Sequence, residues 1–277
     1  MKSMPEDYSI DNLFALNGKS ALVTGGSSGL GKVMAKGLLQ NGVKVYICSR
    51  NQEKCQQALS ELKEYGECVA ICADVTNQEN RRSLIDQITN REKERGLSIL
   101  INNAGTNWAA KLEDYPDAGF AKVIDTNLNA VFSLTRDLVS LLEKAGSKSD
   151  PARIINIGSM DGLQVPVVQR VPTFAYSASK AALHHLTRVL AVDLAARNIT
   201  VNAVAPGFFK SKMTDHVLTH YRKDIESDSP LQRIGQPEEI IGVIIYLASK
   251  AGAYTNGTVI PVDGGSSISK GVKPWTD

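Results

Sequence analysis

Several features are missing from this 277-residue sequence. No apolar run approaches the ~18–20 residues that a membrane-spanning helix needs, and the opening residues MKSMPEDYSIDNLF lack the apolar core of a signal peptide. The formal charge is only +2 and its lysines and arginines are scattered, so no basic block exists for nucleic acid. The 43% apolar content is ordinary for a globular protein. We therefore expect a cytoplasmic protein with neither a membrane nor a nucleic acid as partner.

Metal-binding patterns are also missing. The four cysteines form no C-x-x-C pair and the four histidines form no H-E-x-x-H, so we expect no metal site. Cys68 and Cys72 fall in the strand-like CVAICADV, which predicts buried core thiols and a reducing setting. His216 and His220 lie four residues apart, but no third ligand is near, which favours a mobile polar helix over a metal centre.

What is present is an alternation of apolar runs with helical patterns. The runs lie at 20–24, 43–49, 68–73, 98–102, 153–159, 199–205 and 258–262, and the helical patterns at 29–41, 51–64, 78–95, 119–145, 173–197 and 236–249. Continuous apolar runs are typical of strands buried on both faces, and strands alternating with helices indicate parallel βαβ units. This predicts an α/β fold, a Rossmann-type doubly wound parallel sheet of about seven strands with helices on both faces. We expect a single catalytic domain over 18–277, preceded by an N-terminal arm over 1–17.

The first predicted strand ends in the glycine-rich turn TGGSSGLG. Glycines permit close backbone approach, and the N–H groups of the following helix can bind a pyrophosphate. The candidate residues are Gly25, Ser27, Ser28, Gly29, Leu30 and Gly31. The spacing T-G-x-x-x-G-x-G differs from G-x-G-x-x-G, so a purely structural turn is the alternative.

The second strand end, YICSRN, bears on the type of nucleotide. Ser49 stands where a carboxylate would hold a free ribose, and Arg50 can pair with a 2′-phosphate. This favours NADPH over NADH, with a merely solvent-facing Arg50 as the alternative. Other candidate cofactor-binding residues at strand ends are Asn51, Asp74, Val75, Asn103, Ala104, Gly105, Pro206, Gly207, Phe209 and Ser211.

The helical stretch FAYSASKAALHH places Tyr176 and Lys180 one turn apart, on one face. An ordinary surface pair is one interpretation. The other is catalytic, because a neighbouring ammonium lowers the pKa of a phenol. Working near neutrality needs a shift of about three units from ~10, or ~4 kcal/mol, which Lys180 and an oxidised nicotinamide would provide together. Ser159, after the fifth strand, would polarise a carbonyl oxygen, and Lys180 would also bind the nicotinamide ribose.

Five motifs in register resemble the short-chain dehydrogenase/reductase family, in its classical subgroup: TGGSSGLG, NNAG, Ser159, YSASK and the Pro206–Gly207 turn. The resemblance covers residues ~17–266 and implies Asn127 as a fourth catalytic residue, holding a water that links Lys180 to solvent. It also implies that helices 119–145 and 173–197 pack against partner subunits, giving a homotetramer (or a homodimer). A narrower similarity is to NADPH-dependent 3-ketoacyl reductases of the rhamnolipid-biosynthesis type and fungal carbonyl reductases, which implies a ketone substrate.

Two segments are expected to border that substrate: the long loop between Ser159 and Tyr176, and a lid over 208–230. Apolar lid residues would line a pocket or pack on the core; they are Phe208, Phe209, Met213, Val217 and Leu218. Basic residues would meet a phosphopantetheine or carboxylate or stay solvated; they are Arg170, Lys210, Lys212 and Arg222.

Three functions are compatible with the sequence. The favoured one is an NADPH-dependent carbonyl reductase with Tyr176 as proton donor. A polyol, sugar or steroid dehydrogenase is the second, and Arg50 and the apolar lid argue against it. A non-catalytic NADPH-sensing regulator is the third, although such proteins typically lose the tyrosine or lysine that this chain keeps.

Overall fold

A computed structural model describes residues 7–168, 170–211 and 214–269, apart from the side chain of His216. The strands are β1 Ser20–Thr24, β2 Lys44–Ser49, β3 Cys68–Cys72, β4 Ile99–Asn102, β5 Ala152–Ile157, β6 Ile199–Pro206 and β7 Val259–Val262. The helices are α1 Ile10–Leu13, α2 Gly29–Gln40, α3 Gln52–Leu62, α4 Gln78–Glu92, α5 Asp117–Ile124, α6 Ala130–Ala145, α7 Phe174–Leu194, α8 Asp215–Asp228 and α9 Pro237–Ala248. The predicted lid thus contains a helix, α8.

The seven strands of the described chain form one parallel sheet in the order β3-β2-β1-β4-β5-β6-β7. In this sheet Val23 of β1 is in register with Ile47 of β2 on one side and Ile101 of β4 on the other. The chain leaves β1 in one direction for β2 and β3 and returns on the other side at β4, which opens a crevice at their carboxyl ends. The predicted Rossmann-type fold is confirmed.

Helices cover both faces of the sheet because successive strand side chains point to opposite sides. One core holds Leu22, Leu100 and Ile154 against α4, α6 and α7. The other holds Val23 and Ile101 against α2, α3 and α9. Each fully buried leucine or isoleucine contributes roughly 1.5–3 kcal/mol, so the paired cores hold the strand ends, and any groups on them, in place.

The edge strands differ from the prediction of strands buried on both faces. Side chains of β3 and β7 are mostly half-buried, because each strand has a neighbour on one side only. The prediction that Cys68 and Cys72 are buried core thiols is wrong for Cys72, which is exposed, while Cys68 is half-buried. The buried thiols are instead Cys48 and Cys55, at the end of β2 and in the first turn of α3.

Two absences concern only the described part of the chain. Within it, every helix is too short or too polar to cross a lipid bilayer. The same residues contain no group of three or more histidine, cysteine or acidic side chains placed to hold a metal ion, although His216 of the predicted pair lies outside the described side chains.

Candidate active site

The turn between β1 and α2 leaves no room for a side chain at Gly25, Gly26 and Gly31. Gly25 has φ +66°, and a Cβ on Gly31 would lie 2.4 Å from Asn103 Nδ2 and 2.5 Å from Gly25 O. Ser28 begins α2 without a side-chain cap, which leaves the first-turn N–H groups of the helix unsatisfied by side chains. A helix N-terminus of this kind, open to a cleft, is suited to a phosphate group.

A threonine clamps this turn to the end of β4. Thr24 Oγ1 accepts hydrogen bonds from the N–H groups of Asn103 and Ala104, both at 2.9 Å. Asn103 Nδ2 donates in return to Thr24 O at 2.8 Å. The two strand ends on either side of the crevice are therefore held as one unit. This clamp joins residues 79 and 80 positions apart, so it follows from strand order and not from local sequence.

At the end of β2, hydroxyl groups occupy the place of an acid. Ser27 Oγ donates to Ser49 Oγ at 2.9 Å. The Arg50 side chain is 61% exposed, and its Nη1 lies 4.0 Å from Asp74 Oδ2, a loose ion pair. Arg50 therefore lines the cleft with most of its guanidinium open to a further anion.

A cleft of about 320 Å³ gathers nearly all of the predicted site residues. All the candidate cofactor-binding residues line it except Asn51, whose Oδ1 instead caps α3 by accepting from Lys54 N at 2.8 Å. Sequence reasoning missed six lining residues, Cys48, Ala73, Thr126, Ile157, Gly158 and Thr214. Most are direct chain neighbours of predicted residues, which is the signal that would have found them.

Asn127 does not line the cleft but lies directly behind it. The predicted helix 119–145 is interrupted at Asp125–Asn129 by a π-helical turn, which places Asn127 between the β4 loop and α7. Its side chain is 1% exposed; Nδ2 donates to Thr106 O and Ser179 Oγ, both at 3.0 Å, and Oδ1 accepts from Thr106 N at 2.9 Å. Wide turns of this type occur frequently at functional sites.

Ser159, Tyr176 and Lys180 come together at the floor of the cleft. Lys180 is buried, its Nζ donates to Ile157 O at 2.6 Å, and it lies 5.6 Å from the centre of the Tyr176 ring. Ser159 Oγ accepts from Asp161 N at 3.2 Å, in the 3₁₀ turn Met160–Gly162. This contact uses an acceptor site of the hydroxyl, so its proton can be donated to Tyr176 or to a substrate oxygen.

Burial dominates the electrostatics of Tyr176 and Lys180 in the protein without its cofactor. Burial raises the pKa of Tyr176 to about 12; a hydrogen bond with Ser159 opposes this, and the charge of Asp161 adds to it. Burial also lowers the pKa of Lys180 to about 8 and raises the pKa of Asp161 to about 6. In the protein alone, burial therefore sets the pKa of Tyr176 above its usual value, and the lowering that Lys180 and an oxidised nicotinamide would provide together stays a prediction.

The apolar residues of the predicted lid differ in how deeply they are buried. Phe209 and Leu218 are buried, whereas Phe208 and Val217 are half-buried; Met213 lies outside the described residues. Phe209 packs in the core and still lines the cleft, so both interpretations hold for this one residue.

Two of the basic residues in this region form ion pairs with carboxylates. Arg170 Nη1 pairs with Asp228 Oδ2 at 3.2 Å, and Arg222 Nε with Glu226 Oε1 at 2.9 Å. Lys210 is exposed, and Lys212 lies outside the described residues. The Arg170–Asp228 pair links the loop after Ser159 to α8.

The chain is similar in sequence to proteins that have been characterised. The model of a family described as enoyl-(acyl carrier protein) reductase matches residues 25–267. The chain is 46% identical over 255 residues to a rhamnolipids biosynthesis 3-oxoacyl-(acyl-carrier-protein) reductase from Pseudomonas aeruginosa, covering 91% of this chain and 97% of that protein. It is 33% identical to gluconate 5-dehydrogenase from Gluconobacter oxydans, covering 93% and 98%.

A solved structure extends the likeness to three dimensions. The Pseudomonas aeruginosa RhlG/NADP active-site complex matches with a TM-score of 0.87 at 44% identity, covering 92% of this chain and 99% of that one. Together with the parallel sheet, the glycine turn and the serine, tyrosine and lysine at the cleft floor, these matches span nearly the whole described chain. The chain belongs to the short-chain dehydrogenase/reductase family of oxidoreductases.

Proposed function

We propose that this protein is an NADPH-dependent carbonyl reductase that reduces the ketone of a 3-ketoacyl or related ketoester substrate. The observation that carries the proposal is the Tyr176–Lys180 pair beside Ser159 at the floor of the glycine-lined cleft. The relative at 46% identity is itself named as a 3-oxoacyl reductase, which supports this substrate class.

The residues present fit a phosphorylated dinucleotide. The glycine turn packs closely on the end of β4 and lines the cleft, and the uncapped start of α2 faces the cleft at Ser28 and Gly29. At the other end, Ser27, Ser49 and Arg50 offer hydroxyl and guanidinium donors without a carboxylate at the end of β2. A carboxylate there would repel a 2′-phosphate, whereas a guanidinium pairs with one.

When bound, NADPH supplies a hydride to the carbonyl carbon. Ser159 donates its O–H to the carbonyl oxygen and orients it, and Tyr176 O–H protonates that oxygen as negative charge develops there. Lys180 stabilises the tyrosine after proton loss, since its ammonium lies over the same ring. Burial keeps this ammonium out of water, so its effect on the phenolate is stronger than at a surface.

Asn127 would connect this pair to the rest of the site. Both N–H groups of its amide are used by Thr106 and Ser179, and Oδ1 has one remaining acceptor site after Thr106 N. That single acceptor is the one able to hold a water facing Lys180. Gly105 lies between them: a Cβ there would be 3.4 Å from Asn127 Oδ1 and 3.9 Å from Lys180 Nζ.

The second candidate function is a sugar or polyol dehydrogenase. The specific observation in its favour is the likeness to gluconate 5-dehydrogenase over 93% of this chain. An NADPH-sensing regulator without catalysis is disfavoured by the presence of Ser159, Tyr176 and Lys180 together.

For the assembly, we propose one catalytic domain over 18–277, preceded by an N-terminal arm, in a cytoplasmic homotetramer. Exposed apolar side chains on the two helices expected to meet partner subunits support the assembly. They are Phe132 of α6, 44% exposed, and Val189 and Val192 of α7, 52% and 82% exposed. Exposed apolar side chains that form a contiguous patch are expected where a surface is covered in an oligomer.

The test follows NADPH absorbance with purified protein and a panel of 3-ketoacyl thioesters, 3-ketoesters, diketones and ketoses, each repeated with NADH. Oxidation of NADPH with the ketoacyl compounds supports the reductase. Turnover on sugars alone would establish the second candidate. Tight NADPH binding with no turnover anywhere would favour the sensor.

A substitution of Arg50 tests the preference for NADPH over NADH. Arg50→Asp should raise the KM for NADPH by roughly 10-fold or more and improve the use of NADH, because a carboxylate accepts ribose hydroxyls and repels a phosphate. Lys54→Asp, an exposed position one turn away on α3, is the matched control for a change of two charges. An unchanged preference for NADPH in Arg50→Asp would refute the role of Arg50.

A further inference from the structure

His184 is a buried, titratable side chain that the chemistry above does not use. It lies on α7 one turn after Lys180 and two turns after Tyr176, and it is 3% exposed. Neither ring nitrogen makes a hydrogen bond of good geometry within the described chain. Its neighbour His185 is exposed. A buried imidazole beside a catalytic lysine calls for an explanation in terms of what it contacts.

Two glycines make the space for this ring. A Cβ on Gly158 would lie 2.1 Å from His184 Nε2 and 2.7 Å from Cδ2, and a Cβ on Gly162 would lie 2.7 Å from Cε1. Neither glycine has a positive φ, so backbone conformation does not require glycine at either position. The imidazole therefore fills the space beside both glycines, and at Gly162 the backbone of Lys180 and Ala181, at 2.7 and 2.9 Å, closes it as well.

The two glycines flank the catalytic serine. Gly158 directly follows Ile157, whose carbonyl holds Lys180 Nζ at 2.6 Å, and directly precedes Ser159. Gly162 ends the 3₁₀ turn that Ser159 begins, and a Cβ there would also lie 2.7 Å from the carbonyl carbon of Lys180. One flat ring therefore sets the spacing between α7, which carries Tyr176 and Lys180, and the segment that carries Ser159.

The ring performs this role in its neutral form. Burial lowers the pKa of His184 to about 4, the Gly162 backbone opposes this, and the charges of Lys180 and Arg188 lower it further. A neutral imidazole adds no charge beside the Lys180 ammonium.

We propose that His184 is a positioning residue, a spacer seated in the notch of Gly158 and Gly162 that keeps Ser159 in reach of the Tyr176–Lys180 pair. The inference rests on the proposed reductase function for its kinetic readout. A displacement of about 1 Å at such a site is sufficient to lower turnover by ~100-fold.

The test compares three variants with wild-type protein: His184→Ala, the conservative His184→Asn, and His185→Ala as the matched control on the exposed neighbour. We expect His184→Ala to lower kcat by roughly 10- to 100-fold while the dissociation constant for NADPH changes by less than about 3-fold. His184→Asn, which keeps a planar group in the notch, should recover most of the turnover, and His185→Ala should match wild type. Equal kcat in His184→Ala and wild type would overturn the proposal, as would equal losses in kcat and NADPH affinity.

A second comparison tests the notch itself. Gly158→Ala places a methyl group on the ring and should lower kcat, and adding His184→Ala should relieve that clash, so the double variant is more active than Gly158→Ala alone. If the loss of kcat in the double variant equals the product of the two single losses, Gly158 and His184 are not coupled, and the notch is contradicted.

Crystal structures give a readout that needs no turnover. In His184→Ala the contact between Lys180 Nζ and Ile157 O should lengthen, and an unchanged contact would overturn the spacer role. If wild-type protein reduces no ketone, the proposed function is wrong. The crystal structures still test the spacer role of His184, because they do not depend on turnover.

Discussion

Among the tyrosine–lysine pairs of the described residues, two have nearly the same separation and lie at opposite edges of one sheet. Lys44 Nζ lies 5.5 Å from the centre of the Tyr46 ring, at the amino end of β2. Lys180 Nζ lies 5.6 Å from the centre of the Tyr176 ring, at the carboxyl edge. A pocket of about 380 Å³ lies beside the first pair and is comparable in size with the candidate active-site cleft of about 320 Å³. Neither adjacency nor cavity size therefore marks a catalytic pair.

The surrounding carboxylates separate the two pairs. Tyr46 Oη donates to the buried Glu92 at 2.5 Å, and Lys44 pairs with Glu92 at 3.1 Å and with Glu67 at 3.0 Å. Burial and the bond to Glu92 raise the pKa of Tyr46 to about 12. For Lys44, burial lowers the pKa, but hydrogen bonds with Tyr46 and both glutamates outweigh it and raise the pKa. Each proton is held by a fixed partner, so this pair is structural.

At the cleft floor, no carboxylate of the described residues forms an ion pair with the lysine. Lys180 has one carbonyl partner, and burial lowers its pKa to about 8. An ammonium that is poorly compensated in the resting protein gains most when the adjacent phenol becomes a phenolate. The two pairs therefore differ in the charge that is left unpaired around the lysine.

The largest expected effect is the loss of kcat when Tyr176 loses its hydroxyl, compared with the same substitution at Tyr46. Tyr176→Phe is expected to lower kcat by roughly 10²–10⁴-fold with nearly unchanged NADPH binding, because a general acid contributes about that much. Steady-state kinetics and fluorescence titration of NADPH measure the two quantities. The matched control is Tyr46→Phe, which should retain wild-type kcat. Near-normal turnover in Tyr176→Phe would remove Tyr176 as the proton donor.

The same control variant should reveal the structural role of the other pair. Tyr46→Phe leaves the buried carboxylate of Glu92 without its phenolic donor, which costs about 1–3 kcal/mol in the free energy of unfolding. Denaturant unfolding, monitored by circular dichroism, measures that loss. Stability equal to wild type would show that Lys44 alone satisfies Glu92 and would weaken the contrast.

The smallest effect concerns the carboxylate nearest the catalytic pair. The negative charge of Asp161 raises the pKa of Tyr176, so Asp161→Asn should lower that pKa. Alcohol oxidation needs the phenolate as proton acceptor, so its rise with pH should move to lower pH, by roughly one unit or less, equivalent to about 1.4 kcal/mol at most. The control Asp161→Glu keeps the charge and should keep the profile. A shift to higher pH would show that Asp161 does not act through its charge on Tyr176.

Much of the site could be predicted because its residues follow strands directly. TGGSSGLG, Arg50, Ser159 and the Tyr176–Lys180 spacing are local patterns, and all reached one cleft because parallel strands end at one edge. Asn51 was assigned to the cleft on the same logic but caps a helix instead, since an asparagine at a helix start satisfies an N–H more readily than it reaches a ligand.

Other features depended on contacts between distant residues. Helical periodicity over 119–145 gave no sign of the π-helical turn at Asn127, which is held by Thr106 and Ser179. The exposure of Cys72 follows from the edge position of β3, a matter of strand order.

By itself, the sequence determined the alternation of strands and helices, the glycine turn and the spacing of the catalytic side chains, because hydrophobic periodicity and backbone freedom act over a few residues. Only the tertiary structure decided which tyrosine–lysine pair has carboxylates around it and which has none paired with its lysine. Glu92 comes from α4, 46 residues after Tyr46, and the burial that shifts Tyr176 and Lys180 comes from packing of separate elements. The pKa of a group depends on desolvation and on charges close in space, and folding alone sets both.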